Sequence, residues 1–315
     1  MSKKVIFMGT PDFAVASLKS LIETGIDVLA VVTAPDRPAG RGQKLKASAV
    51  KEFALTQNIP VLQPEKLKSP DFIAALKAYQ ADLFVVVAFR MLPEMVWDMP
   101  KLGTINLHGS LLPRYRGAAP INWAVINGDT QTGVTTFFIE KEIDTGKIID
   151  FSKIDIAPND TAGDIHDRLM VVGAKLLSKT VGQIFDGTAT AIDQPAAEAT
   201  HAPKIFKPDC LIKWDNTVKA THNKIRGLSP YPTAYTILYK EGQQKNLKIF
   251  ESKPAKIINS NKESIVVNEE GLFFLCTDGY LKIENLQLEG KTRMKTSDFL
   301  KGFDILQWHL ANPHQ

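Results

Sequence analysis

The stretch "DLFVVVAF" (82–89) is the strongest strand signal in the chain. Its unbroken apolar run after Asp82 is typical of a strand that is buried on both faces of a sheet. A helical pattern precedes it, "SPDFIAALKAYQ" (69–80), with Ser69 as the cap and Pro70 in the first turn. A helix followed by a fully buried strand is the building unit of a parallel sheet.

The same alternation extends outward through the N-terminal two thirds of the chain. We predict strands at 4–9, 27–33, 59–63 and 103–108, two strands within 133–151, and helices at 12–25, 48–58, 119–128 and 161–187. This order predicts an α/β fold with a Rossmann-like, mostly parallel sheet and right-handed crossovers. Ligands of such sheets bind outside the carboxyl ends of the strands.

A change of composition marks the domain organisation. Residues 188–206 are small, contain prolines and lack clear periodicity, so we interpret them as a linker. One helix near 215–226 and then short strand-like runs separated by turn residues predict a small all-β barrel. We therefore predict a first domain over 1–187 and a smaller second domain over 207–315.

The overall composition excludes several classes of protein. The 315 residues suggest about two domains, and 44% hydrophobic with 23% charged residues is ordinary for a globular protein. No apolar run approaches the roughly 20 residues that cross a bilayer, and the first apolar run is a strand rather than a signal peptide. The distant Cys210 and Cys276 argue against a disulfide scaffold or zinc site, so we expect no metal and a cytoplasmic protein. A monomer is the default expectation.

The positive charge is concentrated in the C-terminal third. Residues 204–315 contain 17 Lys and Arg against 12 Asp and Glu, whereas the rest contains 21 against 22. This asymmetry fits an anionic macromolecular partner, and a solvated lysine-rich surface fits equally well on charge alone.

Several familiar motifs are absent. The turn after the first strand, "MGTPDF", has one glycine and lacks the G-x-G-x-x-G motif, which argues against dinucleotide binding. The chain also lacks a P-loop, an H-E-x-x-H and a G-x-S-x-G motif. We expect four histidines to lie outside any site, because they fall on a helix surface, in the linker or in the tail: His166, His201, His309 and His314.

The stretch "INLHGSLLPRYRGAAP" (105–120) begins at a predicted carboxyl edge of the sheet. Strand alternation places Asn106 and His108 on one face, and Asp144 follows in the later turn "KEIDTGK". An amide, an imidazole and a carboxylate can supply an oxyanion donor, a proton-transfer group and its partner. An isolated strand-end histidine is more often structural, and the sequence alone does not show that the three side chains meet. No Ser or Cys stands out as a nucleophile, so the attacking group is expected to belong to the substrate.

A long basic insertion, "TAPDRPAGRGQKLKASAV" (33–50), separates the second strand from the next helix. Its four cations are Arg37, Arg41, Lys44 and Lys46, against the single acid Asp36. A loop this long is commonly functional or disordered. A solvated flexible loop and a basic arm that contacts phosphates are equally compatible with its charge.

At this point the chain resembles the folate-dependent formyltransferases. The resemblance is carried by "NLHGSLLPRYRGAAPINW" and "GVTTFFIEKEIDTG" within 106–146, by "MGTPDFA" (8–14) and "PDRPAGRGQKL" (35–45), and by "IRGLSPYPTAY" (225–235). It covers nearly the whole chain and is closest to members that formylate the methionine of initiator tRNA. It implies a C-terminal domain of OB-like type that contacts tRNA.

The resemblance also implies roles for individual residues. Asn106, His108 and Asp144 match the catalytic trio of the family, and its tetrahydrofolate-binding loop matches Ser110, Leu111, Leu112 and Pro113. The basic insertion matches a segment that reaches the tRNA acceptor end, with Arg41 at the position of a functional arginine.

One segment departs from the pattern of the family. "AFRMLP" (88–93) is shorter than the usual segment, and Arg90 replaces a small residue, so the rim of the pterin pocket is expected to differ. Folate contacts are expected from Phe89, Arg90 and Leu92.

The implied reaction moves a formyl group from 10-formyltetrahydrofolate, as co-substrate, to the α-amino group of methionine on initiator Met-tRNA. Two alternatives stay open. A small-molecule folate-dependent formyltransferase or a formyltetrahydrofolate hydrolase would need the same trio without the basic regions. An RNA-binding module without catalysis would need the basic regions without the trio.

Overall fold

The computed structural model describes residues 3–39, 44–255 and 263–310. The chain forms two compact units. Unit 1 comprises Met1–Gly117, Thr132–Ile154 and His166–His201, and unit 2 comprises Ala118–Gln131, Asp155–Ile165 and Ala202–Gln315. Unit 2 therefore also takes in two segments from the part of the sequence predicted as the first domain, and the limits at 187 and 207 stay a prediction.

The N-terminal two thirds alternate strands and helices. The strands are β1 (Lys4–Gly9), β2 (Asp27–Val32), β3 (Arg37–Ala39), β4 (Lys44–Lys46), β5 (Val61–Leu62), β6 (Leu83–Val87), β7 (Thr104–His108), β8 (Arg116–Gly117), β9 (Gln131–Phe138), β10 (Ile148–Asp155) and β11 (His201–Ala202). The helices are α1 (Asp12–Glu23), α2 (Ala49–Thr56), α3 (Pro70–Ala78), α4 (Glu94–Trp97), α5 (Pro120–Ile126) and α6 (Ala162–Phe185).

Seven strands form the sheet of unit 1 in the order β10-β9-β7-β6-β1-β2-β5. β1 runs parallel to both β2 and β6, and β6 runs parallel to β7. β7 is antiparallel to β9, so the parallel part of the sheet ends at β7. The predicted mostly parallel α/β sheet is confirmed.

Burial explains why the sheet forms where the sequence predicts it. All five residues of β6 are buried, as its continuous apolar run requires of a central parallel strand. Helix α1 buries one stripe that includes Phe13, Leu18 and Leu21. A Cβ at Gly9 would lie 2.6 Å from Ala14 Cβ, so the single glycine of "MGTPDF" permits close packing of strand and helix.

Unit 2 contains a curled antiparallel sheet with two short helices packed against it. Its strands follow the order β14-β15-β16-β13-β12-β18, and β17 pairs with β16. The strands are β12 (Ala234–Lys240), β13 (Gln243–Pro254), β14 (Ile265–Asn268), β15 (Gly271–Cys276), β16 (Gly279–Leu288), β17 (Met294–Lys295) and β18 (His309–Leu310), with helices α7 (Val218–Gly227) and α8 (Thr296–Gly302). This half-barrel is consistent with the predicted OB-like domain.

Both cysteines lie buried in the core of unit 2 as free thiols. Burial raises the pKa of the Cys276 thiol to about 11, and it raises the pKa of Cys210 as well. Since thiolates are the reactive form, these cysteines behave as small core residues.

Candidate active site

Strand β7 carries Asn106 and His108 at its carboxyl end. Asn106 lies opposite Val86 of β6 and Phe137 of β9, so hydrogen-bonded neighbours hold the strand on both sides. The Asn106 side chain is half-buried, and its carboxamide has no hydrogen-bond partner among the described residues. A donor held at a fixed position without a partner is available to a substrate oxygen.

The imidazole of His108 is buried and held from several directions. Its Nε2 lies 2.9 Å from the carbonyl oxygen of Tyr115. A carbonyl only accepts, so Nε2 donates and carries a proton in this arrangement. The ring also meets Phe137 edge to face, with 6.4 Å between the ring centroids. The orientation of His108 is thereby fixed, with Nδ1 directed to the opposite side.

Asp144 supplies the carboxylate on that side. Its Oδ2 lies 3.6 Å from His108 Nδ1, an ion-pair distance that is longer than a direct hydrogen bond. The same Oδ2 accepts a hydrogen bond of 2.8 Å from the backbone N–H of Gly117. The structure therefore brings together the imidazole and carboxylate that lie 36 residues apart in sequence.

The turn between β9 and β10 places Asp144 with little freedom. Asp144 has φ of 56°, in the left-handed region that non-glycine residues rarely adopt. Two residues later, a Cβ at Gly146 would lie 1.8 Å from the carbonyl oxygen of Phe138. Only glycine fits there, so the tight return of the turn onto β9 determines where Asp144 lies.

The loop after β7 is built around a buried serine. The Ser110 hydroxyl donates to the carbonyl of Arg114 at 2.6 Å, and the Ser110 carbonyl accepts from Thr135 Oγ1 at 2.7 Å. Thr135 Oγ1 also accepts from the N–H of Leu112 at 3.1 Å. Through its bond to Arg114, the Ser110 hydroxyl helps to hold the conformation of the loop.

The apolar residues of this loop differ in their surroundings. Leu112 is buried with Phe137 and Ile148, and Pro113 is also buried. Leu111 is half-buried and lies against Gly133 of β9, where a Cβ would be 2.5 Å from Leu111 Cδ2.

The segment after β6 presents one cation at the surface. Leu92 is buried in the core under the sheet, and Phe89 is half-buried against the same core. The Arg90 guanidinium donates to the carbonyls of Glu65, at 2.9 Å, and Pro64. Partial burial, with a smaller contribution from nearby Arg37, lowers the pKa of Arg90.

The described residues of the basic insertion include two short strands that pair as a ribbon. β3 and β4 are antiparallel, with Arg37 opposite Lys46, and both of these side chains are exposed. Lys44 begins β4, and Arg41 lies outside the described residues.

A carboxylate fastens the base of the ribbon. Asp36 accepts from Lys51 Nζ at 2.6 Å and from Gln63 Nε2 at 2.8 Å. The hydrogen bond from Lys51, followed by that from Gln63, lowers the pKa of the Asp36 carboxyl.

Sequence reasoning missed residues behind the His108–Asp144 pair. Gln194 and Thr200 come from the predicted linker and contact the chain around Arg116 and Asp144. The available signal was that Gln194 is the only Asn or Gln between 188 and 206, within a run of small residues.

Within the described ranges, no cluster of three or more His, Cys, Asp or Glu side chains is arranged to hold a metal ion. None of the helices in those ranges combines the length and apolar character needed to cross a bilayer.

Comparison with known families gives two matches that together cover most of the chain. Residues 3–181 match the formyl transferase family, and residues 204–304 match the formyl transferase C-terminal domain.

Curated relatives match over nearly the full length. The methionyl-tRNA formyltransferase of Bacteroides thetaiotaomicron is 50% identical over 316 residues, covering 98% of each chain. That of Parabacteroides distasonis is 53% identical over 310 residues, covering 95% of each chain.

Solved structures share the fold at lower identity. The crystal structure of WlaRD, a sugar 3N-formyl transferase studied with dTDP and 5-N-formyl-THF, matches with a TM-score of 0.66 and 22% identity. The match covers 93% of this chain and all of that one.

Proposed function

The chain belongs to the formyl transferase family, and on that premise we propose that it transfers a formyl group from 10-formyltetrahydrofolate to the α-amino group of methionine on initiator Met-tRNA. The observation that carries the proposal is the arrangement at the end of β7. There the Asn106 carboxamide, which has no hydrogen-bond partner among the residues that the structure describes, shares a strand face with His108. The His108 ring lies 3.6 Å from Asp144.

Asn106 is proposed to stabilise charge on the formyl oxygen. When the amine attacks the formyl carbon, the carbonyl oxygen gains negative charge. The Asn106 carboxamide can donate to that oxygen without giving up a bond within the described residues. One such donor is worth about 3 kcal/mol in the transition state.

His108 and Asp144 are proposed to handle the proton that the attacking amine must lose. The folate nitrogen takes up a proton when its bond to the formyl carbon breaks, so that tetrahydrofolate leaves and the transfer balances. The imidazole is anchored at Nε2 by the Tyr115 carbonyl, and Nδ1 faces the carboxylate. This leaves the His108–Asp144 side of the site as the place where a proton is held or passed on.

The residues present suit a folate co-substrate in the chemistry they offer. Bound 10-formyltetrahydrofolate would supply the electrophilic formyl carbon. Asn106 offers its formyl group a carboxamide that is free of hydrogen bonds within the described ranges. The loop after β7 offers the apolar residues Leu111, Leu112 and Pro113 for a ring system. We propose that two sets of residues hold it: Ser110, Leu111, Leu112 and Pro113 of the loop after β7, and Phe89, Arg90 and Leu92 of the segment after β6.

The acceptor is assigned from the basic regions and the relatives. Arg37, Arg41, Lys44 and Lys46 are proposed to contact tRNA phosphates, together with the basic C-terminal third. A small-molecule acceptor would need neither region, and the relatives at about half identity bear the name methionyl-tRNA formyltransferase. We further propose a cytoplasmic monomer.

The proposal is tested by offering one formyl donor to three acceptors. The protein is incubated with labelled 10-formyltetrahydrofolate and Met-tRNA, free methionine or buffer alone, with Asn106→Asp as the matched inactive control. We expect label only on Met-tRNA. Label on free methionine, or hydrolysis of the donor in buffer, would point to a small-molecule enzyme, and no reaction would contradict catalysis.

A further inference from the structure

A short segment after α6, residues 194–201, lies behind the candidate active site. It forms a 3-10 turn at Ala196–Glu198, between Gln194 and Thr200. Gln194 contacts the turn that carries Asp144, and Thr200 contacts the loop that holds His108. We call residues 194–201 the strap.

Gln194 uses its whole carboxamide in hydrogen bonds. Its Oε1 accepts from Arg116 Nε at 3.0 Å and from Nη2 at 2.7 Å. Since a guanidinium only donates, the amide nitrogen must face the other way. There Nε2 donates to the carbonyls of Asp144, at 2.9 Å, and Gly146, at 2.7 Å. The two ends of the side chain thus hold Arg116 and the turn at a fixed separation.

The turn needs such support. Asp144 adopts a left-handed conformation, which is unfavourable for a non-glycine residue and persists only where the surroundings enforce it. Gln194 binds the carbonyls of Asp144 and Gly146, which lie on either side of Thr145. These two bonds therefore resist rotation of the turn that would carry the carboxylate away from His108.

Thr200 acts on the opposite side of the imidazole. Its Oγ1 accepts from the N–H of Tyr115 at 2.9 Å, and its carbonyl accepts from the N–H of Arg116 at 2.8 Å. Tyr115 also has a positive φ, 62°, and its carbonyl is the partner of His108 Nε2. Thr200 therefore restrains Tyr115, and the Tyr115 carbonyl in turn holds the His108 ring.

We propose that Gln194 and Thr200 are positioning residues, and that the strap sets the relative placement of His108 and Asp144 for formyl transfer. The expected loss of turnover rests on the proposed function, whereas the hydrogen bonds by which the strap holds His108 and Asp144 in place do not. The strap touches both partners of the pair, so its loss should impair turnover more than substrate binding.

Substitutions at Gln194 and Thr200 test the two contacts of the strap separately, one with the Asp144 turn and the other with Tyr115. Gln194→Glu keeps an acceptor for Arg116 but loses both donors to the Asp144 turn. Thr200→Val removes the acceptor for the Tyr115 N–H, and Thr200→Ser restores it. Glu198→Ala, at an exposed position of the same segment, is the matched control.

We expect Gln194→Glu and Thr200→Val each to lower kcat about tenfold or more, with KM values for donor and Met-tRNA within about twofold of wild type. Thr200→Ser should recover most of kcat, and Glu198→Ala should match wild type. If Gln194→Glu does not fold, the comparison of Thr200→Val with Thr200→Ser still tests the proposal. Folded variants with wild-type kcat, or a loss equalled by Glu198→Ala, would overturn the proposal.

Hydrogen exchange without substrates gives a second readout. The Gly117 N–H is bonded to Asp144 Oδ2, so its exchange should accelerate in Gln194→Glu while the β7 amides keep wild-type rates. Unchanged protection of Gly117 would overturn the positioning role. If wild-type protein does not formylate Met-tRNA, the proposed function fails, and this exchange result alone decides on the strap.

Discussion

Asn106 stands apart from the other polar residues of its strand. Thr104 Oγ1 donates to the Trp97 carbonyl at 2.6 Å, and His108 is bonded to Tyr115. Asn106 has no such partner within the described part of the chain. Its half-buried carboxamide is thus left open at the end of a strand, where it can bind solvent or a ligand.

The first prediction concerns this carboxamide. Asn106→Asp keeps the size of the side chain but replaces the amide donor with an acceptor. We expect kcat for Met-tRNA formylation to fall about 100-fold or more, because the transition-state oxyanion loses its donor and faces a like charge. Steady-state kinetics measures the loss, and circular dichroism with urea unfolding shows whether the fold is kept. A folded variant with near-normal turnover would remove Asn106 from the mechanism.

At the scale of elements, the close packing of the turn between β9 and β10 against Phe138 also determines where Asp144 lies relative to His108. The second prediction is that Gly146→Ala destabilises the protein by about 2 kcal/mol or more, because the new methyl would meet the Phe138 carbonyl. The turn must shift, so kcat should fall as well. Urea unfolding and formylation kinetics measure the two effects.

Gly182→Ala is the matched control for that substitution. Gly182 lies within α6, and its Cβ would meet nothing within 4 Å. Alanine there should be neutral or stabilise by up to about 1 kcal/mol through helix propensity. Equal effects of the two substitutions would show that the contact at Gly146 does not constrain the turn.

The basic insertion that includes the ribbon of β3 and β4 is the element that we propose contacts tRNA. The third prediction is that Arg41→Ala lowers kcat/KM for Met-tRNA and leaves the affinity for folate unchanged. Loss of one phosphate contact should also reduce the slope of log affinity against log salt by about 1. Binding at several salt concentrations measures this, and equilibrium dialysis measures folate.

Lys175→Ala serves as the charge-matched control, because Lys175 is an exposed residue of α6. It should leave both affinities unchanged. A parallel fall in folate affinity in Arg41→Ala would instead assign the insertion to the co-substrate pocket.

At the scale of the whole molecule, unit 2 carries a pH dependence of its own. His222 is buried, with Nδ1 3.0 Å from Ser252 Oγ and Nε2 3.3 Å from the Pro158 carbonyl. Burial lowers the pKa of His222, the Pro158 carbonyl opposes this, and nearby Arg226 lowers it further. The neutral ring is the form that the folded state accommodates, with Nε2 donating and Nδ1 accepting.

The fourth prediction follows from that lowered pKa. Unfolded His222 takes up a proton near pH 6.5, whereas the folded form does so only at lower pH. The unfolded state therefore binds more protons in that window, and the free energy of unfolding falls as pH decreases below about 6.5. Urea unfolding at pH 7.5 and 5.5 measures the change.

His222→Gln is the comparison, because an amide keeps a donor and an acceptor without titrating. Its free energy of unfolding should vary less between the two pH values than that of the wild type. Three of the four tryptophans belong to unit 2, so fluorescence reports mainly on this unit: Trp123, Trp214 and Trp308. An identical pH dependence in both proteins would contradict the assignment.

The sequence predicts features that depend on neighbouring residues, but not features that depend on contacts between residues far apart in the chain. Strands such as β6 and helices such as α1 are determined by local apolar periodicity, and both were predicted. Asn106 and His108 share a strand face by alternation alone. The meeting of His108 with Asp144 and the bond from Gln194 to Asp144, across 50 residues, depend on tertiary packing. No local sequence pattern predicts such long-range contacts. Helix α8 is also absent from the elements predicted from the sequence.

The position of β7 in the sheet has a consequence for inactivation by heat. β7 lies in the interior between β6 and β9, whereas β10 lies at the edge. Interior strands open only when the whole fold opens, and edge elements open at lower free energy. The imidazole and carboxamide are therefore held on an interior strand, while the carboxylate lies on the turn that leads to the edge strand. On warming, this enzyme should lose Asp144 from the site first, so that activity declines reversibly before the protein melts.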